Sequence, residues 1–563
     1  MAGEFLTPTS IWNNFSIQDI PSSQTIGEYR EGDIILNRMR IEGRKCTDGQ
    51  VSIYAVLAKK VRRKKLPTIF ILQKFTDGAD ETLAMDLAKK GYCAFVVNIG
   101  GEDGVNTNHT LYPKSLSYAN YKNAKNILEK DVINGDFTTT CYYEWGVTAR
   151  YALTYLRSLS FVDKIAGLGI GDSATILWHL SATENFDALA FMLNAGWHAY
   201  KGNYKFLSKI DEQFSDEKIN YLSGVEPQSY APHIKAPTLI EVATNSSEFD
   251  FDRSHDTHAR IKEEYFSAIH YTEGGINCVN WSAYENTLMF FKEFLIEKGL
   301  DQSLPHKVEI KCEIKDGECR VEVIAKDSNI KEIYLNASEE HYNPSLRQWQ
   351  KVSKCKRKGE SFVFKYLPYV KSGCVFFFAT VVYKNGFIIN SNVISKKFDE
   401  KMIKPSHKVK VIYSSREEDS ESAFYPATIS NGKPQGLAIN NISNVVEKKG
   451  AMGIDGITCE SGLLTFKMAM IKYRPQEDGI LLIDTYMPNG GNVTVKLIAN
   501  YFGEKIEYVA KSKVPSGEIW HNLKFFISNF KSPEGMAIRS IEKIQAMQIN
   551  ADDTYLVNNI LWV

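Results

Sequence analysis

No run of about 18 consecutive apolar residues occurs in the 563-residue sequence, which leaves no candidate for a membrane-spanning helix. Neither charge is in excess: 67 Lys and Arg balance 67 Asp and Glu. With no global field to attract phosphate or anionic lipid, neither nucleic acid nor a membrane is expected as a partner. The nine cysteines are scattered and odd in number, and no CxxC pair occurs. A disulfide framework and a zinc site are therefore not expected, and no metal or other cofactor is assigned. GGEDGVN (100–106) is rich in glycine but lacks the Gly-Lys-Ser that completes a phosphate loop, so it reads as a connecting loop. The first residues, MAGEFLTPTSIWNNF, show no basic segment leading into an apolar stretch, and a cytoplasmic location is the default expectation. There is no tandem repeat or low-complexity tract.

What is present is a strong alternation of strand and helix patterns. A chain of this length is expected to form two to four domains of roughly 150 residues each. DIILNRMRIEG and VSIYAVLAKK read as a strand pair around the turn-rich RKCTDGQ. TIFIL and YCAFVVNIGG are apolar runs suited to strands buried on both faces. Between them, ADETLAMDLAKKG has early acids, late lysines and a terminal glycine, the marks of a helix. EWGVTARYALTYLRSL is an amphipathic helix, KIAGLGI a strand and ATILWHLSA a helix. DALAFMLNAG, APTLIEVAT and YFSAIHYTE read as later strands, and SAYENTLMFFKEFLIEKG as a closing helix. This order predicts an α/β domain over residues 1–300, with a mostly parallel, doubly wound sheet. The pattern then changes to short strands such as KVEIKCEI, CRVEVIA and CVFFFATVVYK, which predict a small β-sandwich over 307–400. After FDEKMIKPSHK, segments such as GILLIDTYM, VTVKLIANYF and YLVNNILWV predict a larger β-sandwich of jelly-roll type over 408–563.

The segment VDKIAGLGIGDSATILWHLSA (162–182) breaks from strand into helix, the place where hydrolytic enzymes carry a serine nucleophile between small residues. With Gly169 as the first small residue, the nucleophile slot falls on Gly171, and Asp172 and Ser173 follow it. The first 300 residues resemble the acetyl xylan esterase and cephalosporin-C deacetylase branch of the α/β-hydrolase superfamily. The resemblance rests on this segment, on APTLIEVATNSSEFDFD and on TEGGINCVNWSAYEN before the closing helix. It implies an α/β-hydrolase fold, ester hydrolysis, a serine at position 171, an aspartate after the pair Thr244 and Asn245, and a histidine in the last loop. This sequence has Gly171, Ser246 and Asn277 (or Cys278) in those three slots. No histidine lies between His270 and His306, and His270 falls within the last strand. A serine hydroxyl without an adjacent base is a poor nucleophile at neutral pH.

Two functions from different classes follow. The first is a catalytically degenerate, non-catalytic binding or scaffold protein directed at glycans or acylated sugars. The second is an active carbohydrate esterase that uses Ser173 in GDSAT, with His255 or His258 as a relocated base. Against the second, Ser173 reads as a helix-start residue capping free N–H groups, and His255 and His258 as a solvated helix face. Asp250, Asp252 and Asp256 lie in the same polar stretch, which otherwise offers donors of metal-ligand type. Glu144 and Trp145 start a helix whose aromatics suit packing. The middle sandwich loosely resembles the immunoglobulin-like appendage of PhoPQ-activated α/β-hydrolase relatives, through NPSLRQWQKV and CVFFFATVVY, with Trp349 and Phe376–Phe378 as packing residues. The last sandwich loosely resembles carbohydrate-binding jelly rolls, which implies sugar stacking on exposed rings. Tyr486, Tyr501, Trp520 and Tyr555 are the candidates, weighed against ordinary core packing.

Overall fold

The computed structural model describes residues 7–13, 15–61, 65–128, 137–197, 222–244, 246, 251–272, 281–296, 305–339, 344, 347, 349–367, 373–398, 410–415, 423–427, 445–475 and 479–562. Nine strands form the first sheet: β1 Ser23–Glu31, β2 Ile34–Cys46, β3 Gly49–Lys60, β4 Leu66–Leu72, β5 Cys93–Val97, β6 Val162–Ile170, β7 Ala188–Met192, β8 Thr238–Ala243 and β9 Ser267–Thr272. Their order is β1-β2-β3-β5-β4-β6-β7-β8-β9, antiparallel from β1 to β5 and parallel from β5 to β9. The apolar runs expected to be buried on both faces are the parallel strands: every residue of β5, β7 and β8 is buried. Strand β1 is an addition to the sequence reading. Its residues SQTIGEYRE are almost all exposed, so no apolar alternation marks it.

Helices cover both faces: α1 Glu81–Lys89, α2 Tyr121–Leu128, α3 Cys141–Ser158, α4 Ala174–Ser181, α5 Phe251–Ala259 and α6 Trp281–Phe291. Helix α1 begins where the Asp80 side chain accepts from the N–H groups of Thr82 and Leu83. Helix α3 starts three residues earlier than its apolar periodicity suggests, because Thr140 caps it through Tyr143 N. On one face, Leu83, Leu87, Tyr284 and Phe291 from α1 and α6 pack on Ile69, Ile71, Val96 and Leu168. On the other, Trp145 and Leu153 of α3 and Leu177 and Trp178 of α4 pack on Phe70, Phe95 and Phe191. Residues 23–296 thus have the α/β-hydrolase fold: a largely parallel sheet, antiparallel at its N-terminal edge, wrapped by helices on both faces. Among the described residues no helix is long and apolar enough to cross a membrane.

Two all-β sandwiches follow. The first comprises β10 Glu309–Lys315, β11 Glu318–Ile324, β12 Ile330–Glu339, β13 Gln350–Val352, β14 Cys355–Lys358, β15 Ser361–Tyr366, β16 Gly373–Tyr383, β17 Ile388–Asn390 and β18 Ile394–Phe398. They form a four-stranded sheet (β10-β11-β15-β14) and a five-stranded one (β13-β12-β16-β17, with β18 on β16). The second comprises β19 Lys410–Ser414, β20 Tyr425–Pro426, β21 Val446–Lys449, β22 Asp455–Thr458, β23 Leu463–Thr465, β24 Ile480–Tyr486, β25 Gly491–Ala499, β26 Ile506–Val514, β27 Trp520–Phe526, β28 Ile544–Ala551 and β29 Leu556–Trp562. They form a six-stranded sheet (β21-β22-β29-β24-β27, with β19 on β29) and a five-stranded one (β20-β23-β28-β25-β26).

The first sandwich is packed against the hydrolase sheet and shares its apolar core. At the open edge of the sheet, Tyr271 N of β9 donates to Asn390 Oδ1. Asn286 of α6 reaches the backbone of Ile388, donating from Nδ2 to its carbonyl (3.1 Å) and accepting its N–H at Oδ1 (2.9 Å). Each side chain supplies a partner to a different edge strand, Asn390 to β9 and Asn286 to β17, whose backbone would otherwise be bare. Trp349 and Phe378, expected as packing residues, contact the Phe251 ring at centroid distances of 5.6 and 6.1 Å and so pack between the units. Phe377 lies instead in the apolar cluster that runs through the sandwich.

Candidate functional site

Strand ends and the turns after them converge at the crest of the parallel sheet, where this architecture forms its sites. Strand β6 ends at Ile170, and Gly171–Ser173 form a single tight turn into α4. Gly169 is dictated by contact: a Cβ there would lie 2.7 Å from the backbone Cα of Ala174, so helix and strand approach too closely for a side chain. Gly171 has φ +60°, the left-handed conformation in which a nucleophile residue is held under strain and in which glycine rests freely. A Cβ on residue 171 would lie 2.7 Å from Cγ and 3.0 Å from Cε of Lys74. The side-chain position of the expected nucleophile is therefore filled by the aliphatic chain of a lysine from the loop after β4.

Other polar groups fix this turn. The Gly171 carbonyl accepts from Asn194 Nδ2 (3.1 Å), and the same amide donates to Thr175 Oγ1 (2.9 Å). Asn194 is fully buried, and its Oδ1 accepts the N–H of Gly196. The loop that carries it holds two further left-handed residues, Leu193 (φ 68°) and Trp197 (φ 67°). Backbone strain is thus gathered at the crest, where functional sites concentrate it. Asp77, beside Lys74 in sequence, has its carboxyl pushed up to about 6 by burial. Lys74 opposes that shift, while Asp80 and Asp172 add to it.

Ser173 is fully buried at the start of α4. Its hydroxyl makes no cap bond; it lies 3.0 Å from each of two carbonyls, Leu72 O and Ile170 O, and donates into that pair. The expectation that it caps free N–H groups is corrected: the N–H groups look along the helix, whereas the side chain turns back to tie β4 to β6.

The acid slot, Ser246, is buried at 4% exposure just beyond β8, its N–H 3.4 Å from Ala243 O. Thr244, also buried, donates its N–H to Thr272 O. Asn245, Asp250, Asn277 and Cys278 lie outside the described residues. Within the neighbouring strands is a polar pair that residue patterns do not bring forward. Glu241 of β8 and His270 of β9 are directly paired in register, and His270 Nδ1 lies 2.6 Å from Glu241 Oε2. Asn286 Nδ2 donates to the other oxygen, Oε1 (2.9 Å). All three are buried under 5% exposure. The signal available in the sequence is a lone acid in TLIEVA and a lone histidine in SAIHYT, at matching positions of adjacent strands. Their side chains face α6, which makes this network part of the contact with the first sandwich.

Helix α5 brings the other polar candidates to the surface and to the core by turns. Asp252 receives both guanidinium nitrogens of Arg347, a residue only 1% exposed. Asp256 pairs with Arg260 one turn on. His258 is 6% exposed, which corrects its reading as part of a solvated face; Phe251, Ser254 and Thr257 share its buried side. Burial holds its imidazole at about 4, with Lys307 and His255 lowering it further and the Ser267 backbone, as acceptor, opposing them. Glu144 is buried at the start of α3 and paired with Arg44, and burial is the first cause that raises its carboxyl. Trp145 is buried and donates to Ala119 O, so this pair packs the helix start.

In the last sandwich, the four candidate rings separate into two kinds. Tyr501 (9%) and Tyr555 (5%) are buried, and the Tyr555 hydroxyl bonds to the carbonyls of Cys459 and Ile549. Tyr486 and Trp520 are half-buried and adjacent, ring centroids 5.6 Å apart.

No family model and no curated protein match the chain. Among solved structures it is similar to an acetyl xylan esterase from Paenibacillus sp. (14% identity, TM-score 0.38), covering 51% of this chain and 92% of that one. It is also similar to acetyl xylan esterase 1 from Thermoanaerobacterium sp. (11% identity, TM-score 0.39), covering 51% and 93%. A third similar structure is the acylaminoacyl peptidase of Pyrococcus horikoshii (15% identity, TM-score 0.34), covering 50% of this chain and 51% of that one.

Proposed function

We propose that this chain is a non-catalytic relative of the esterase-like α/β-hydrolases, a binding or scaffold protein directed at glycans or acylated sugars. The observation that supports it is the pairing of Gly171 with Lys74: where the fold would carry a hydroxyl, there is a glycine, and the adjacent space holds a lysine chain. A hydroxyl nucleophile also needs a base within hydrogen-bond reach, about 3 Å. Ser173, the nearest hydroxyl in sequence, is buried and bonded to two carbonyls, a setting that suits a strand tie. A core can outlast its chemistry, because the residues that fold the sheet are not those that react.

Reaction of the full-length protein with an excess of a fluorophosphonate ester, read by intact mass and peptide mapping, tests this reading. Unmodified protein is the expected result. An adduct on any serine in residues 1–300 would overturn it.

A further inference from the structure

We infer that the outer face of the sheet carrying β24 (Ile480–Tyr486), β27 (Trp520–Phe526) and β29 (Leu556–Trp562) is a binding site for a neutral, equatorially linked pyranose chain. The inference rests on the glycan-directed reading above and assigns the place and the kind of sugar. Along β24, Leu481, Ile483 and Thr485 point into the core, which leaves Leu482, Asp484 and Tyr486 on the outer face. Cross-strand register sets Asp484 opposite Asn522 and Tyr486 opposite Trp520.

The polar row is built. Asp484 Oδ1 accepts from Asn522 Nδ2 (2.8 Å) on one side, and Oδ2 accepts from Asn559 Nδ2 (2.9 Å) on the other. An amide from each flanking strand therefore fixes the carboxylate, and each oxygen keeps lone-pair capacity for a further donor. A carboxylate between amides is a set of acceptors and donors suited to sugar hydroxyls, while its charge works against phosphate and other anions.

The aromatic row is built too. Trp520 Nε1 donates to Ala451 O (3.1 Å). A Cβ on Gly450 would come within 2.7 Å of the indole, and one on Gly456 within 2.8 Å. The ring thus extends from β27 over the sheet to the β21–β22 hairpin, and glycines at both positions give it room. A ring so held has little conformational freedom to lose when a ligand stacks on it. Two residues of strand separate the aromatic row from the polar row, about 6.6 Å. A pyranose lying on the indole would bring its equatorial hydroxyls over Asp484 and Asn522. An open sheet face, with its polar and aromatic rows following the strands, suits an extended, ribbon-like chain better than a coiled one.

The experiment is calorimetric titration of the full-length protein with cellohexaose, xylohexaose and maltohexaose. Binding of at least one of the first two, tighter than that of the coiled maltohexaose, is expected. Trp520→Ala is expected to weaken it about tenfold or more, the usual cost of removing a central aromatic anchor. Asn522→Ala, at an exposed position where folding is not at stake, is expected to weaken it several-fold. Binding that neither substitution changes would overturn the site while leaving the glycan reading intact. Binding of maltohexaose equal to that of the flat chains would overturn the assigned sugar class. Absence of binding to all three would overturn the site together with the glycan reading; the phosphonate reaction tests the absence of catalysis separately.

Discussion

Lys74 and Gly171 compete for one volume: the lysine Cγ lies 2.7 Å from where a side chain on residue 171 would begin. The backbone at 171 is also left-handed, at φ +60°. Gly171→Ala meets both obstacles and is expected to lower stability by about 1–3 kcal/mol in urea denaturation. In the double variant with Lys74→Ala, the part due to crowding should return and the part due to backbone strain should remain. Equal losses with and without Lys74 would assign the whole effect to the backbone.

His258 gives a pH signature. Its folded value of about 4 lies below the ordinary 6.5, so the unfolded chain binds more protons between those limits. Stability contributed by the neutral, buried ring is present above about 6.5 and is lost as pH falls toward 4, by about 3 kcal/mol in all. His258→Leu should remove that part of the slope. The difference in unfolding free energy between variant and wild type, followed from pH 7 to 4, checks it.

Asp77 acts with the opposite sign. Burial raises its carboxyl to about 6, so its contribution is fullest below the unfolded value near 4 and is lost as pH rises through 6. Asp77→Asn is therefore expected to be more stable than wild type above pH 6, by about 1–3 kcal/mol, and to converge with it in acid. The same denaturation series measures both groups, since each is read as a difference from wild type.

Asn286 links Glu241 of the hydrolase sheet to the Ile388 backbone of the first sandwich. Asn286→Ala leaves a buried carboxylate short of a donor and frees the Ile388 backbone groups. A loss of about 2–3 kcal/mol is expected. A variant that melts at the wild-type midpoint would show that this bridge adds nothing to stability.

The fold is legible where side chains alternate or run apolar for a physical reason. TIFIL, KIAGLGI and APTLIEVAT are buried on both faces and could hardly be anything but inner strands, and they are β4, β6 and β8. Strand β1 is not legible, because an exposed edge strand needs no apolar face. Gly171 can be placed from Gly169 and the strand end. The partner that fills its space cannot, since Lys74 is 97 residues away in sequence and reaches the crest only through β4–β6 pairing. For the same reason, the local position of Ser173 suggests a cap, whereas its two carbonyl partners include Leu72 on a different strand. Tyr501 and Trp520 are alike as aromatic letters in strand-rich sequence. Which face each ring takes depends on the pleat and on glycines 450 and 456, which no local pattern announces.

If the crest carries no serviceable nucleophile, the full-length protein should show no steady-state turnover of p-nitrophenyl acetate. The expected rate is that of buffer alone, the same for wild type and for Ser173→Ala. Robust turnover by wild type that Ser173→Ala abolishes without unfolding the chain would contradict it.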